Sequence, residues 1–146
     1  MKKIIILVAA FIFFSLSAFS QKNPPEIVKK EFTKKYATAQ SVKWENEEKN
    51  EWEAEFTFEG KKMSASFDNS GKWMESETTI TEKDLPVAVV NTLNKDYQGY
   101  KKGEISIFED SKNKGFELTM KKGESSIEVL IDNAGKIIKK TELNRK

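Results

Sequence analysis

Hydrophobic and polar residues alternate in two stretches of the chain. From Glu51 to Phe58 the order is Glu-Trp-Glu-Ala-Glu-Phe-Thr-Phe, and from Lys62 to Phe67 it is Lys-Met-Ser-Ala-Ser-Phe. A period of two puts Trp52, Ala54, Phe56 and Phe58 on one side of a strand and Glu51, Glu53 and Glu55 on the other. Glu59-Gly60-Lys61 separates the runs and predicts a hairpin turn. Asp68-Asn69-Ser70-Gly71 ends the second run and predicts a further reversal, its glycine supplying a positive φ. The pattern then recurs. Phe116 to Met120 and Ser126 to Ile131 alternate about Lys121-Lys122-Gly123-Glu124 and end in Asp132-Asn133-Ala134-Gly135.

A different period precedes each hairpin. Ile27, Val28, Phe32 and Tyr36 fall at near-helical spacing and predict a helix with a core-facing stripe. Asn23 is placed to cap it, with Pro24 at the first helical position and Glu26 completing a capping box. Pro86 opens a second helix, in which Val89, Leu93 and Tyr97 recur every fourth residue. Ser41 to Glu45 alternates and predicts a strand with Val42 and Trp44 facing in. Further strands are expected from Lys72 towards Ile80, over Glu104–Phe108 and from Lys136 to Leu143.

The halves align. Tyr97 lies 61 positions after Tyr36, and Gly135 lies 64 after Gly71, with Phe116 and Glu117 matching Trp52 and Glu53 at that second offset. Two units, about 23–80 and 81–143, each a helix followed by about four antiparallel strands, make an α+β tandem repeat with the helices packed on one face of the sheet. One continuous sheet and two adjacent helix-on-sheet layers both satisfy the pattern.

The first twenty residues read differently. Met1-Lys2-Lys3 is basic, Ile4 to Phe14 is apolar, and Ala18-Phe19-Ser20 offers small side chains for cleavage. Residues 1–20 are therefore expected to be a signal peptide and 21–146 the mature domain, in a periplasmic or secreted location. An uncleaved anchor is the competing reading. Without Lys2 and Lys3 the 25 basic residues fall to 23, equal to the 23 acidic ones, and the one arginine is Arg145 in the tail. That balance argues against nucleic acid as a partner. Cys and His are both 0, which removes disulfides, thiolate metal sites and the commonest general base.

The order of short motifs resembles a known family. A Pro-led helix ending in Phe-x-x-x-Tyr (Pro25 to Tyr36) precedes Val-x-Trp (Val42 to Trp44). Glu55 to Gly60, Ala65 to Trp73 and Leu85-Pro86 follow in order. This is similar to the PepSY-like, beta-lactamase-inhibitor-like family of small exported bacterial proteins. The resemblance implies a fold of helix on antiparallel sheet, in tandem, and a location outside the cytoplasm. It assigns no activity.

Candidate chemistry is sparse. Neither Asp-Asn-x-Gly turn has the distal glutamate a calcium loop needs, so both are expected to be hairpin turns. No nucleophile–base pair, phosphate-cradling loop or metal set stands out, so no catalytic residue and no cofactor are expected. Glu51, Glu53 and Glu55 form an acidic strip, which is either a solvated sheet face or a contact for a basic partner. Trp73 lies either in the core or, in the other register, outside beside the glutamates as a contact anchor. The expectation is a non-enzymatic binding protein for an unidentified protein or peptide, contacting it through Trp73, Glu51, Glu53, Glu55 and Glu75. A small-molecule or cation-binding sensor is the alternative. Oligomeric state is left open.

Overall fold

A computed structural model describes residues 23–48 and 50–143; the expected signal peptide lies outside them. Helix α1 (Glu26–Lys35) is followed by β1 (Gln40–Glu48), β2 (Glu51–Phe58), β3 (Lys61–Asp68) and β4 (Trp73–Thr79). A 3-10 turn at Glu82–Asp84 leads into α2 (Val87–Asp96). Then come β5 (Lys101–Asp110), β6 (Lys114–Lys122), β7 (Ser125–Ile131) and β8 (Ile137–Glu142). All eight strands form one antiparallel sheet in chain order, with β1 and β8 at its edges.

Both helices lie on the same side. Val28, Phe32 and Tyr36 of α1 pack on Trp52, Ala54, Phe56, Ala65 and Phe67. Val89, Leu93 and Tyr97 pack on Ile105, Phe116, Leu118, Met120, Ile127, Val129 and Ile131. Met63 borders the first cluster and Ile107 the second, and each pairs with Thr78, so the two clusters share one face. The first core is aromatic. The Phe32 ring lies 4.9 Å from Phe56 and 5.1 Å from Trp44, both edge-on, the geometry in which ring quadrupoles attract. The second core is almost wholly aliphatic.

The helices are also held by the turns. At Gly71 a Cβ would come within 3.0 Å of the Ile27 carbonyl oxygen, and at Gly135 within 2.5 Å of the Ala88 carbonyl oxygen. Both glycines have φ above +80°, so conformation and close approach require glycine together. Thr92 ties α2 to the second turn by donating its hydroxyl to the Gly135 carbonyl at 2.6 Å.

Two local expectations are corrected. The residue preceding α1 is Pro25, with no side-chain cap bond, so Asn23 does not cap it; Glu26 instead pairs with Lys29 at 2.9 Å. Ile27 is not part of the core stripe and stays exposed. It is one position from Val28, about 100° round the helix, which turns it towards the rim beside Gly71.

Candidate binding face

The second face of the sheet carries no helix among the described residues. Its side chains follow from the register. Glu53 pairs with Ser66 and Ser66 with Glu75, while Glu55 pairs with Ser64 and Ser64 with Glu77. Ser106 pairs with Glu117 and Glu117 with Leu130, and Leu130 pairs with Lys139. Glu51, Glu53, Glu55 and Glu75 are therefore brought together, as the sequence predicted.

Trp73 is not with them. The β3–β4 ladder slips between Ser66 and Phe67, leaving Met74 as the extra residue of a bulge, and Trp73 pairs with Phe67. The bulge turns the indole to the helix side, where it borders the α1 core and the Lys35 ammonium lies 4.3 Å from its ring centroid. A contact site that joins Trp73 to the glutamates is not formed.

The uncovered face is not a solvated one. Glu51, Glu53 and Glu128 are 5%, 8% and 3% exposed, and Ser64, Ser66 and Ser106 are buried beside them. Two apolar side chains complete the floor: Phe108, opposite Gly115 in the ladder, and Leu130. A depression of about 420 Å³ lies on this side, lined by Lys43, Glu55, Ser64, Glu77, Thr79 and Glu104 among others. Glu104 on β5 is close enough across it to raise the pKa of Glu55 on β2.

Packing carboxyls together in this concavity favours their neutral form. Burial pushes Glu53 up to about 8, with repulsion from Glu47 and Glu77 adding to it and a hydrogen bond from Ser64 opposing it. Glu75 is raised to about 8 by burial and then by Glu77, Glu51 and Asp110. Glu117 is raised to about 9 by burial and by Glu77, Glu128 and Glu75. Glu128 is raised to about 7 by burial, against the pull of Lys139. Glu55 and Glu77 are raised as well, again chiefly by burial. The Ser106 hydroxyl donates to Glu77 Oε2 at 2.9 Å. At neutral pH Glu53, Glu75 and Glu117 thus hold protons, and the face presents donors as well as acceptors.

The sequence reading missed Glu77, Glu117, Glu128 and Lys139. One signal pointed to Glu117, which follows Glu53 by the same 64 positions that relate the two glycine turns. The turn aspartates, by contrast, are engaged within their own loops. Asp68 accepts from the Ser70 and Lys72 amides at 2.8 and 3.0 Å, and Asp132 accepts from Ala134 and Lys136 at 2.9 Å each. Among the described residues no group of three or more acidic side chains is arranged to hold a metal ion, and no helix is long and apolar enough to cross a membrane.

A family described as "Putative beta-lactamase-inhibitor-like, PepSY-like" matches residues 50–139, more than half of the sequence. The chain belongs to that family. Solved structures share the fold. A BLIP-like protein from Bacteroides fragilis superposes with a TM-score of 0.75 at 19% identity, over 87% of this chain and 92% of that one. A DUF2874 family protein from Bacteroides uniformis gives 0.74 at 22% identity, over 82% and 90%. A Bacteroides eggerthii structure named "putative periplasmic proteins" gives 0.73 at 17%, over 83% and 90%. Among curated proteins no sequence matches. For this PepSY-like chain such identities establish the fold, and function has to come from the face itself.

Proposed function

We propose that the chain is an exported, non-enzymatic binding protein that takes a protein or peptide partner on the uncovered face of its sheet. The observation that carries this reading is the asymmetry of the sheet. Both helices cover one side, while the other is concave, free of helices among the described residues, and lined by carboxyls and hydroxyls. Export is supported by the apolar leader pattern and by the name of the B. eggerthii neighbour. We also read the halves as a tandem duplication, 23–80 and 81–143. The contact of Gly71 with Ile27 recurs as Gly135 with Ala88, and the bulge residue Met74 has its counterpart in Ile138, skipped between Leu130 and Ile131.

Photo-crosslinking tests the binding reading. A benzophenone amino acid at Thr79 or Thr141, on the uncovered face, is expected to capture a partner in periplasmic extract. The same group at Lys30 or Asn91, on the helices, is expected to capture none. Equal capture from both sides overturns the choice of face. A second reading, a small-molecule sensor, is favoured by the depression of about 420 Å³, a size that suits a small ligand. Calorimetry against envelope metabolites and calcium distinguishes it.

A further inference from the structure

The uncovered face holds more carboxyls than it has cations to match. Around Glu77 and Glu117 the facing charged groups are Glu53 from β2, Glu75 from β4, Glu104 from β5, Glu128 from β7 and Lys139 from β8. Three ammoniums, Lys139 beside Glu117 and Glu128, and Lys43 and Lys62 lining the depression with Glu77 and Glu104, stand against six carboxyls. A second observation is independent of that count. Glu128 is 3% exposed, and its Oε2 is buried with no hydrogen-bond partner. Its strand register and its repulsion with Glu77 and Glu117 place that carboxyl among the others. An acceptor left unmade in a buried position is unfavourable, and it points to a donor that arrives from outside the chain.

We infer that the cluster of Glu77, Glu117 and Glu128 is the receiving site for a cationic side chain, lysine or arginine, carried by the partner protein or peptide. This rests on the proposed use of the uncovered face and names the chemistry that face recognises. A guanidinium or ammonium seated there supplies the missing donor to Glu128 and neutralises a carboxylate that is otherwise costly to ionise. Entry of the cation favours the ionised carboxyls, so protons leave as it binds. Charge balance is kept by one proton released for each carboxyl that ionises. Binding of this kind strengthens as pH rises, by about tenfold per pH unit for each proton released.

The test uses the mature chain and a lysine-rich heptapeptide, with its Nε-acetylated form and an arginine analogue as probes. Titration calorimetry is run at about pH 6 and about pH 8, each in two buffers of different ionisation enthalpy. The lysine or arginine peptide is expected to bind more tightly at the higher pH with net proton release, and the acetylated peptide to show no binding. Glu117→Gln combined with Glu128→Gln is expected to weaken binding by about tenfold or more and to abolish proton release. Glu26→Gln on the far side is expected to change nothing. Glutamine matches the shape of the protonated carboxyl, and circular dichroism checks that the variant is folded. Binding of the acetylated peptide, binding without proton release, or no binding of either basic peptide overturns the inference. If Thr79 and Thr141 still crosslink a partner while basic peptides fail, the docking face stands and the cationic chemistry falls. If those positions capture nothing, the docking reading itself has failed.

Discussion

Beneath the helices the strands bury Phe67, Leu118 and Val129; on the reverse of the same strands they bury Ser66, Glu53 and Glu128 to a similar depth. The two faces reach low exposure by different means. On the covered side water is excluded by helices whose apolar stripes match the sheet, and each fully buried Val, Leu, Ile or Phe contributes about 1.5–3 kcal/mol. On the other side the side chains of neighbouring strands crowd one another without a covering helix among the described residues, and the sequence supplies polar groups there. Those groups can ionise only against the local environment, so several keep their protons. The comparison teaches that burial and stabilisation are separable: one face holds the fold together, and the other stores unfavourable electrostatics in a concave surface.

The comparison breaks most visibly at Phe32. Its ring touches those of Tyr36, Trp44, Phe56 and Phe67. Phe32→Ala is expected to cost about 3–5 kcal/mol in denaturant unfolding. A loss below about 1 kcal/mol would mean that α1 does not seal its half of the covered face. Gly135→Ala probes how that seal is aligned. With φ at +83° and the Ala88 oxygen 2.5 Å from the new methyl, a loss of about 2–3 kcal/mol is expected. Gly60 also has a positive φ but nothing within 4 Å of the added carbon, so Gly60→Ala should lose only about 1 kcal/mol. The contrast isolates the helix contact from the backbone conformation.

The uncovered face predicts a smaller effect of opposite sign. Glu117 has a folded pKa of about 9 against an unfolded value near 4.5, so the folded state binds its proton more tightly. The stability this contributes is fully present below about pH 4.5 and is lost as pH rises through about 9. Glu53, Glu75 and Glu128 act in the same sense. Asp68 and Asp110, held below the usual range by turn hydrogen bonds that outweigh their partial burial, lose their contribution only as pH falls below about 3.8. Stability should therefore peak near pH 4–5 and decline towards pH 9. Glu117→Gln should flatten that decline and raise stability at pH 9 by about 1–2 kcal/mol. Thermal unfolding across the pH range checks both, and a profile rising towards alkaline pH would refute the assigned protonation.

How much of this was legible in the chain depends on the range of the physics involved. Alternation fixes which side chains share a face, and Trp52, Ala54 and Phe56 were read correctly because a period of two is local. Trp73 is different. A single extra residue at Met74 inverts every position beyond it, and the bulge is set by pairing with β3 and packing under α1 rather than by Lys72-Trp73-Met74 itself. Ile27 was misplaced for a related reason, since helical spacing defines a stripe but not its margin. The glutamates were placed on one face, solvated or meeting a partner, but the burial of Glu51 and Glu53 was not foreseen. Their burial depends on neighbours from strands far apart in the chain, such as Ser66, Glu75 and Glu77, which no short window contains. Glu128 stands where the first half has Ser64, and Lys139 where it has Glu75, so the charge pattern of the face emerges only when the halves are laid side by side in space.

The order of the strands also bears on how the chain acquires its fold. Six of the seven strand pairings bridge short reversals, and only β4 with β5 must wait for residues 80–100 to close a longer path. Closing short loops forfeits little chain entropy, and topologies rich in sequence-local pairing form quickly. Each four-strand ribbon can zip from its own hairpins, leaving the seam between Thr78 and Ile107 as the place where nucleated halves must find one another.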